Sequence, residues 1–133
     1  MKNNLILAVK NYSEVMLDKA IEITDSFEFE KCCASKVDIF HNKFNLEFIV
    51  NIEKESLENF CNVIFGMVAD ELILDLQKEI ANTIGGYFAD KFYIKDYKLS
   101  LPEILEKCDI QNSIYFYNDI LKLSIRLRIK NGS

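Results

Sequence analysis

The strongest constraint on this chain is a helical periodicity running from about Asp70 to Lys91. Within it, Ile73, Leu76, Ile80, Ile84 and Tyr87 recur at the spacing of one helix face, a face that must be covered. On the same wheel of 3.6 residues per turn, Asp75, Glu79, Asn82 and Gly86 fall on the opposite side, in a stripe about 60° wide. A helix this long needs a sheet or other helices to lie against. It also projects a carboxylate and a carboxamide, three residues apart, away from the core.

The remaining chain supplies such partners. A first helix is expected from about Asn4 to Ile23, with Leu5, Ala8, Val9, Tyr12, Met16, Leu17 and Ala20 on one broad face. Thr24 to Phe29 reads as extended. Val37–Phe40 and Phe44–Ile52 read as strands joined at His41-Asn42-Lys43, with the alternation of a sheet buried on one face. A second helix should begin near Lys54, capped by Ser56, and stop at Gly66. Phe92 to Leu99 should be extended, Pro102 halts regular structure, and Glu103 to Lys107 should form a short turn. Ile114–Tyr117 and Ile120–Ile129 should form a last hairpin turning at Asn118-Asp119. Helix, strands, two helices, strands is the order of an α+β domain. A largely antiparallel sheet packed against long helices is expected, as one domain over residues 1–133.

Charge and cysteine usage narrow the function. The formal charge is −5, which argues against a nucleic-acid or anionic-membrane surface. The basic cluster Arg126, Arg128 and Lys130 alternates like the solvent face of a strand. The apolar run Leu5 to Val9 is too short for a signal peptide core, and no segment approaches 18 apolar residues, so no membrane span is expected and a cytoplasmic location follows by default. Cys32, Cys33, Cys61 and Cys108 include no Cys-x-x-Cys pair and no histidine at metal-ligand spacing, so no metal is expected. They read as small buried hydrophobes in a reducing compartment, with redox activity at the vicinal Cys32 and Cys33 the alternative. His41, the sole histidine, has no partner in sequence.

Two adjacent glycines inside the long helix, Gly85 and Gly86, need a reason, since each costs up to about 1 kcal/mol relative to alanine. Gly85 would let another helix approach closely. Gly86 would leave the outward stripe bare, so that a partner can lie flat on it. For Glu79 and Asn82 taken alone, a solvated helix face is the blander reading. Their company changes that. Ile64-Phe65-Gly66, then Asp70-Glu71, then Glu79-Ile-Ala-Asn82-Thr-Ile-Gly-Gly, then Leu-Ser-Leu-Pro102 resemble the CheX branch of the CheC/CheX/FliY chemotaxis phosphatases. The family pattern is an Asp or Ser, three residues, Glu, two residues, Asn and a later proline. Here Asp75, Glu79, Asn82 and Pro102 stand in that order. One copy of the motif is present, as in the single-site CheX type.

This resemblance implies a CheC/CheX-like fold and a phosphatase acting on the aspartyl phosphate of a CheY-like response regulator. Asn82 would hold a water in line with the phosphorus, and Glu79 would pair with the receiver's lysine. Asp75 and Gly86 would belong to the partner-binding surface, or Asp75 would merely be solvated. No cofactor is implied on this chain, because any Mg²⁺ arrives on the receiver. The resemblance also implies a homodimer associating through its sheets, for which the Tyr115–Tyr117 region with Ile120, Leu121 and Leu123 offers strand material, unless those residues fill the core. Two other readings compete: a catalytically silent adaptor of the same fold that binds a receiver, and an unrelated enzyme using Cys32 or Cys33 with a thiol of lowered pKa.

Overall fold

The computed structural model describes residues 1–93 and 95–130. In chain order the elements are α1 (Lys2–Leu17), β1 (Glu22–Thr24), β2 (Cys32–His41), β3 (Asn45–Glu53), α2 (Lys54–Phe65), α3 (Asp70–Phe92), β4 (Tyr97–Leu99), β5 (Glu103–Leu105), β6 (Ile114–Tyr117) and β7 (Lys122–Lys130). The strands form one antiparallel sheet in the order β1-β6-β7-β3-β2-β4, with β5 also on β2. The fold is α+β, as expected. Strands β4 and β5 share one edge of β2, at Ile39–His41 and Ala34–Lys36. Between them Ser100 bridges the gap: its N–H donates to the Asp38 carbonyl at 2.9 Å, and its hydroxyl accepts the Asp38 N–H at 2.8 Å.

Several elements depart from the sequence reading. Helix α1 stops at Leu17, not Ile23. Asp18 turns left-handed at φ 52° with its N–H on the Glu14 carbonyl, and Glu22–Thr24 then joins β6 as a strand. No glycine marks that stop; aspartate is one of the few residues that tolerates the conformation. Ser56 does not cap α2. It lies in the first turn, donating to the Glu53 carbonyl and accepting the Lys122 N–H, which fastens α2 to β7. Glu103–Leu105 is a strand rather than a turn, and of the extended stretch expected from Phe92, Phe92 closes α3 and only Tyr97–Leu99 is strand; Ile94 lies outside the described residues. In the last hairpin, Phe116, Leu121 and Leu123 are core residues, leaving Tyr117 as its exposed aromatic.

Strand β3 is buried on both faces, not one. Leu46, Phe48, Val50 and Ile52 meet the helices, while Glu47, Ile49 and Asn51 on the outer face are also buried. A strap between β5 and β6 crosses that outer face. Cys108 is joined by a disulfide to Cys32 on β2. Asp109 exchanges two hydrogen bonds with the Asn51 carboxamide on β3, at 2.8 and 3.1 Å, and pairs with Arg126 on β7. The reading of all four cysteines as isolated hydrophobes is therefore corrected for Cys32 and Cys108, which lie 76 residues apart and meet only because the strap returns over β2. Cys33 and Cys61 are free thiols. Nor are Arg126, Arg128 and Lys130 simply solvated. Arg128 and Lys130 bind Glu47 and Lys130 also binds Asp38, beside the Lys36–Glu47 bond of 3.0 Å. Burial raises the Glu47 carboxyl, but Lys36, Arg128 and Lys130 outweigh it and hold its pKa below the usual range.

Helix α3 is seated on β2 by two devices. A Cβ on Gly85 would come within 2.8 Å of Val37 Cγ2, so the helix approaches the sheet closely there. The close neighbour is a strand, not the helix anticipated. About two turns earlier, buried Gln77 donates from Nε2 to the Ala34 carbonyl at 3.0 Å, and Ser35 Oγ donates to the Gln77 carbonyl at 3.2 Å. Two predictions follow from these contacts. Gly85→Ala should destabilise by about 1–3 kcal/mol, because Val37 is short, branched and fully buried. Gly86→Ala, whose Cβ would meet Leu99 Cδ1 at an ordinary 3.6 Å, should be neutral or gain up to about 1 kcal/mol; urea unfolding of both variants separates the two. Reducing Cys32–Cys108 should lower stability by about 2–4 kcal/mol, read as a shift in denaturation midpoint with and without reductant and abolished in Cys108→Ser.

Candidate functional site

With the buried side of α3 set by Leu76, Gln77, Ile80, Ala81, Ile84 and Gly85, the outward stripe follows from helix geometry. Asp75 and Asn82 are exposed, and Glu79 and Gly86 are half-buried. Glu79 is held at both oxygens. The Tyr12 hydroxyl on α1 donates to Oε2 at 2.9 Å, and Thr83 Oγ1, one turn on, donates to Oε1 at 2.9 Å. Tyr12 is only 1% exposed and packs edge-on against Phe60 of α2. Burial, then the neighbouring Glu79 carboxylate, push its phenol pKa far above the ordinary value, so it remains a donor at neutral pH.

Neither Tyr12 nor Thr83 is singled out by the sequence reading. Tyr12 is counted there with the apolar face of α1. The usable signal is that a tyrosine deep in an apolar helix face needs a partner for its hydroxyl. Thr83 stands at the helical spacing from Glu79 that lets side chains meet.

Around the stripe the surface is uneven. Asp75 and Glu79 form one side of an open, mainly apolar basin of about 290 Å³ completed by Met16, Ile64, Phe65 and Leu76. Gly86 is not bare, since Leu99 of β4 lies alongside it; this corrects the picture of an open landing strip. Pro102 is half-buried in the link between β4 and β5, beside Leu101, which is 89% exposed. A larger cleft of about 500 Å³ is lined by carboxylates and lysines of both signs, among them Glu28, Glu53, Lys54 and Lys122, and includes no residue of the stripe.

The two vicinal cysteines lack the features of an activated nucleophile. Cys32 is in a disulfide, and burial pushes the Cys33 thiol up, against the lowering a reactive thiolate needs. His41 stacks on Tyr93 at 4.2 Å and its Nδ1 accepts the Lys43 N–H, a structural role. Among the described residues no group of three or more His, Cys, Asp or Glu side chains is placed to hold a metal ion, and no helix is long and apolar enough to cross a membrane.

Comparison with known proteins turns on shape. The sequence matches no family model and no curated protein. Among solved structures, the chemotaxis protein CheX from Vibrio vulnificus superposes with a TM-score of 0.76 at 10% identity, over 96% of this chain and 97% of that one. The chain has the fold of CheX. The CheX–CheY–BeF3–Mg²⁺ complex from Borrelia burgdorferi matches at 0.75 and 15% identity, over 97% of each chain. A CheC-like superfamily protein from Shewanella sp. PV-4 matches at 0.72 and 13%, over 97% and 96%. At such identity the likeness carries the CheX fold, and the side chains carry any argument about chemistry.

The Tyr12–Glu79 contact has a pH signature. A phenol whose folded pKa lies above its unfolded value near 10 contributes stability that is whole below about pH 10 and lost as pH rises beyond it. The margin of the wild type over Tyr12→Phe should therefore shrink by about 1.4 kcal/mol per pH unit above pH 10, measured by urea unfolding between pH 9 and 11.

Proposed function

We propose that this chain dephosphorylates a phosphorylated CheY-like response regulator, hydrolysing its aspartyl phosphate in chemotaxis signalling. The observation that carries the reading is the pair Glu79 and Asn82 on the outward ridge of α3, in a chain that matches the CheX fold over 96–97% of its length. That one such protein has been crystallised with CheY, beryllofluoride and Mg²⁺ supports the choice of partner class.

The chemistry suits these groups. The receiver supplies the acyl phosphate, a lysine and Mg²⁺, which neutralises charge developing on the phosphoryl oxygens. What it needs is a placed water. Asn82 presents an amide that accepts a hydrogen bond from water and donates one to a phosphoryl oxygen, with no charge to repel the anion. The water oxygen bonds to phosphorus, the bond from phosphorus to the aspartyl oxygen breaks, and the receiver regains its carboxylate as inorganic phosphate leaves. Glu79 takes the receiver's lysine and fixes the approach. Asp75 borders the docking surface, and the basin beside it receives apolar surface of the partner. Phosphoryl transfer asks mainly for positioning and charge stabilisation. A hundredfold acceleration needs about 2.7 kcal/mol, within reach of one well-placed polar group.

The same reading makes residues 1–133 one cytoplasmic phosphatase domain that dimerises through its sheet, whose open edges are β1 on one side and β4 with β5 on the other. A cytoplasmic site would expose Cys32–Cys108 to reductants, so both redox forms belong in the assay.

The test is to load candidate receivers with a small phosphodonor and follow the decay of phosphorylation. The wild type should accelerate decay. Asn82→Ala should lose about a hundredfold in rate while binding the beryllofluoride-activated receiver within about threefold of wild type. Glu79→Ala should chiefly weaken binding. A receiver that binds yet decays at its own rate would make the chain a silent adaptor. Full activity in Asn82→Ala would remove the water-holding role.

A further inference from the structure

We propose that Tyr12, with Thr83, is a positioning residue for Glu79, and that the two hydroxyls fix its carboxylate on the α1 side of the ridge as the dock for a partner's cation. The inference rests on the phosphatase reading above. It starts from an oddity of burial. Tyr12 is 1% exposed at the junction of α1, α2 and α3, where a phenylalanine would fill nearly the same space without taking a hydroxyl out of water. The hydroxyl donates to Glu79 Oε2, and Thr83 Oγ1 donates to Oε1, both at 2.9 Å. Glutamate is among the more flexible side chains, and an exposed one samples several rotamers. Here both oxygens are tied before any partner arrives. Each carboxylate oxygen has two lone pairs, so one bond to each leaves capacity for an incoming ammonium.

The clamp also sets direction. Thr83 lies about 40° further round the helix than Glu79, on the side from which Tyr12 reaches in, while Asn82 lies about 60° the other way. The carboxylate therefore leans into the crevice between α1 and α3, and the amide stands clear of it. Cation and water are received on separate flanks of one ridge, so the acid does not compete with the amide for the water. Helix α1, which supplies none of Asp75, Glu79 and Asn82, thus adds to the site a hydroxyl besides the Met16 side chain that borders the basin.

The experiment is a double-mutant cycle on the full chain, with KM and kcat for a phosphorylated receiver and Kd for its beryllofluoride-activated form. Tyr12→Phe should raise KM and Kd about tenfold, the scale of a hydrogen bond to a charged group, with kcat within about twofold. Thr83→Val should do the same more weakly, and serves if Tyr12→Phe lowers stability enough to blur the kinetics. In a Glu79→Ala background Tyr12→Phe should add nothing further, because the hydroxyl acts only through that carboxylate. A general packing defect would instead lower both backgrounds alike. An active wild type with unchanged KM in both hydroxyl variants, or a Tyr12→Phe loss that persists without Glu79, overturns the positioning role and leaves the phosphatase reading standing. A wild type that neither binds nor dephosphorylates any receiver overturns both.

Discussion

The close seat of α3 on β2 is the constraint from which the rest of the molecule takes its orientation. A helix resting on a sheet through ordinary side chains can roll by tens of degrees with modest repacking. This one has no Cβ at Gly85, where Val37 fills the space, and its Gln77 is bonded to the Ala34 carbonyl while Ser35 holds the Gln77 carbonyl. Rolling would drive backbone away from Val37 and strand a buried amide, a cost on the order of 1–3 kcal/mol for that amide alone. The aromatic stack of Phe48, Phe88 and Phe92 holds the far half of the helix to the same sheet. With the roll fixed, the position of Asn82 on the outside is no longer a matter of helical periodicity alone.

The sequence made the long helix legible because one turn pattern repeats over it with no interruption. It made the β2–β3 hairpin legible because Phe44, Leu46, Phe48, Val50 and Ile52 stand at alternate positions, with Ile49 the one apolar residue between them. It failed where contacts are remote in the chain. The strap is read as a turn followed by nothing, since the reasons for its path, Cys32, Asn51 and Arg126, lie on three separate strands. For the same reason β3 is read as half-solvated when its outer side is roofed. Helix α1 is read six residues too long because its stop is a single aspartate in a left-handed turn, a signal much weaker than glycine.

In the candidate site the split is similar. Glu79 and Asn82 come from a local spacing, which a sequence shows directly. The phenol that restrains Glu79 comes from 67 positions earlier, on an element whose other buried side chains, Ser13 apart, are apolar. Periodicity assigns Tyr12 to the core and is right about its ring. Its hydroxyl is invisible to any argument that treats a residue as a single hydrophobic unit. Gly86 shows the opposite error: the helical wheel assigns it to open surface, while Leu99 of β4 covers its flank.

The roofed outer side of the sheet limits how two such molecules can meet. Stacking sheet upon sheet would require lifting a segment bonded to two strands and cross-linked to a third, and would press the Lys36, Asp38, Glu47 and Arg128 charge lattice against its own copy. Lateral growth, strand rim to strand rim, meets neither obstacle. An assembly built that way is broad and flat, with every α3 crest turned the same general way as its sheet's helical layer and none of them sealed by its neighbour.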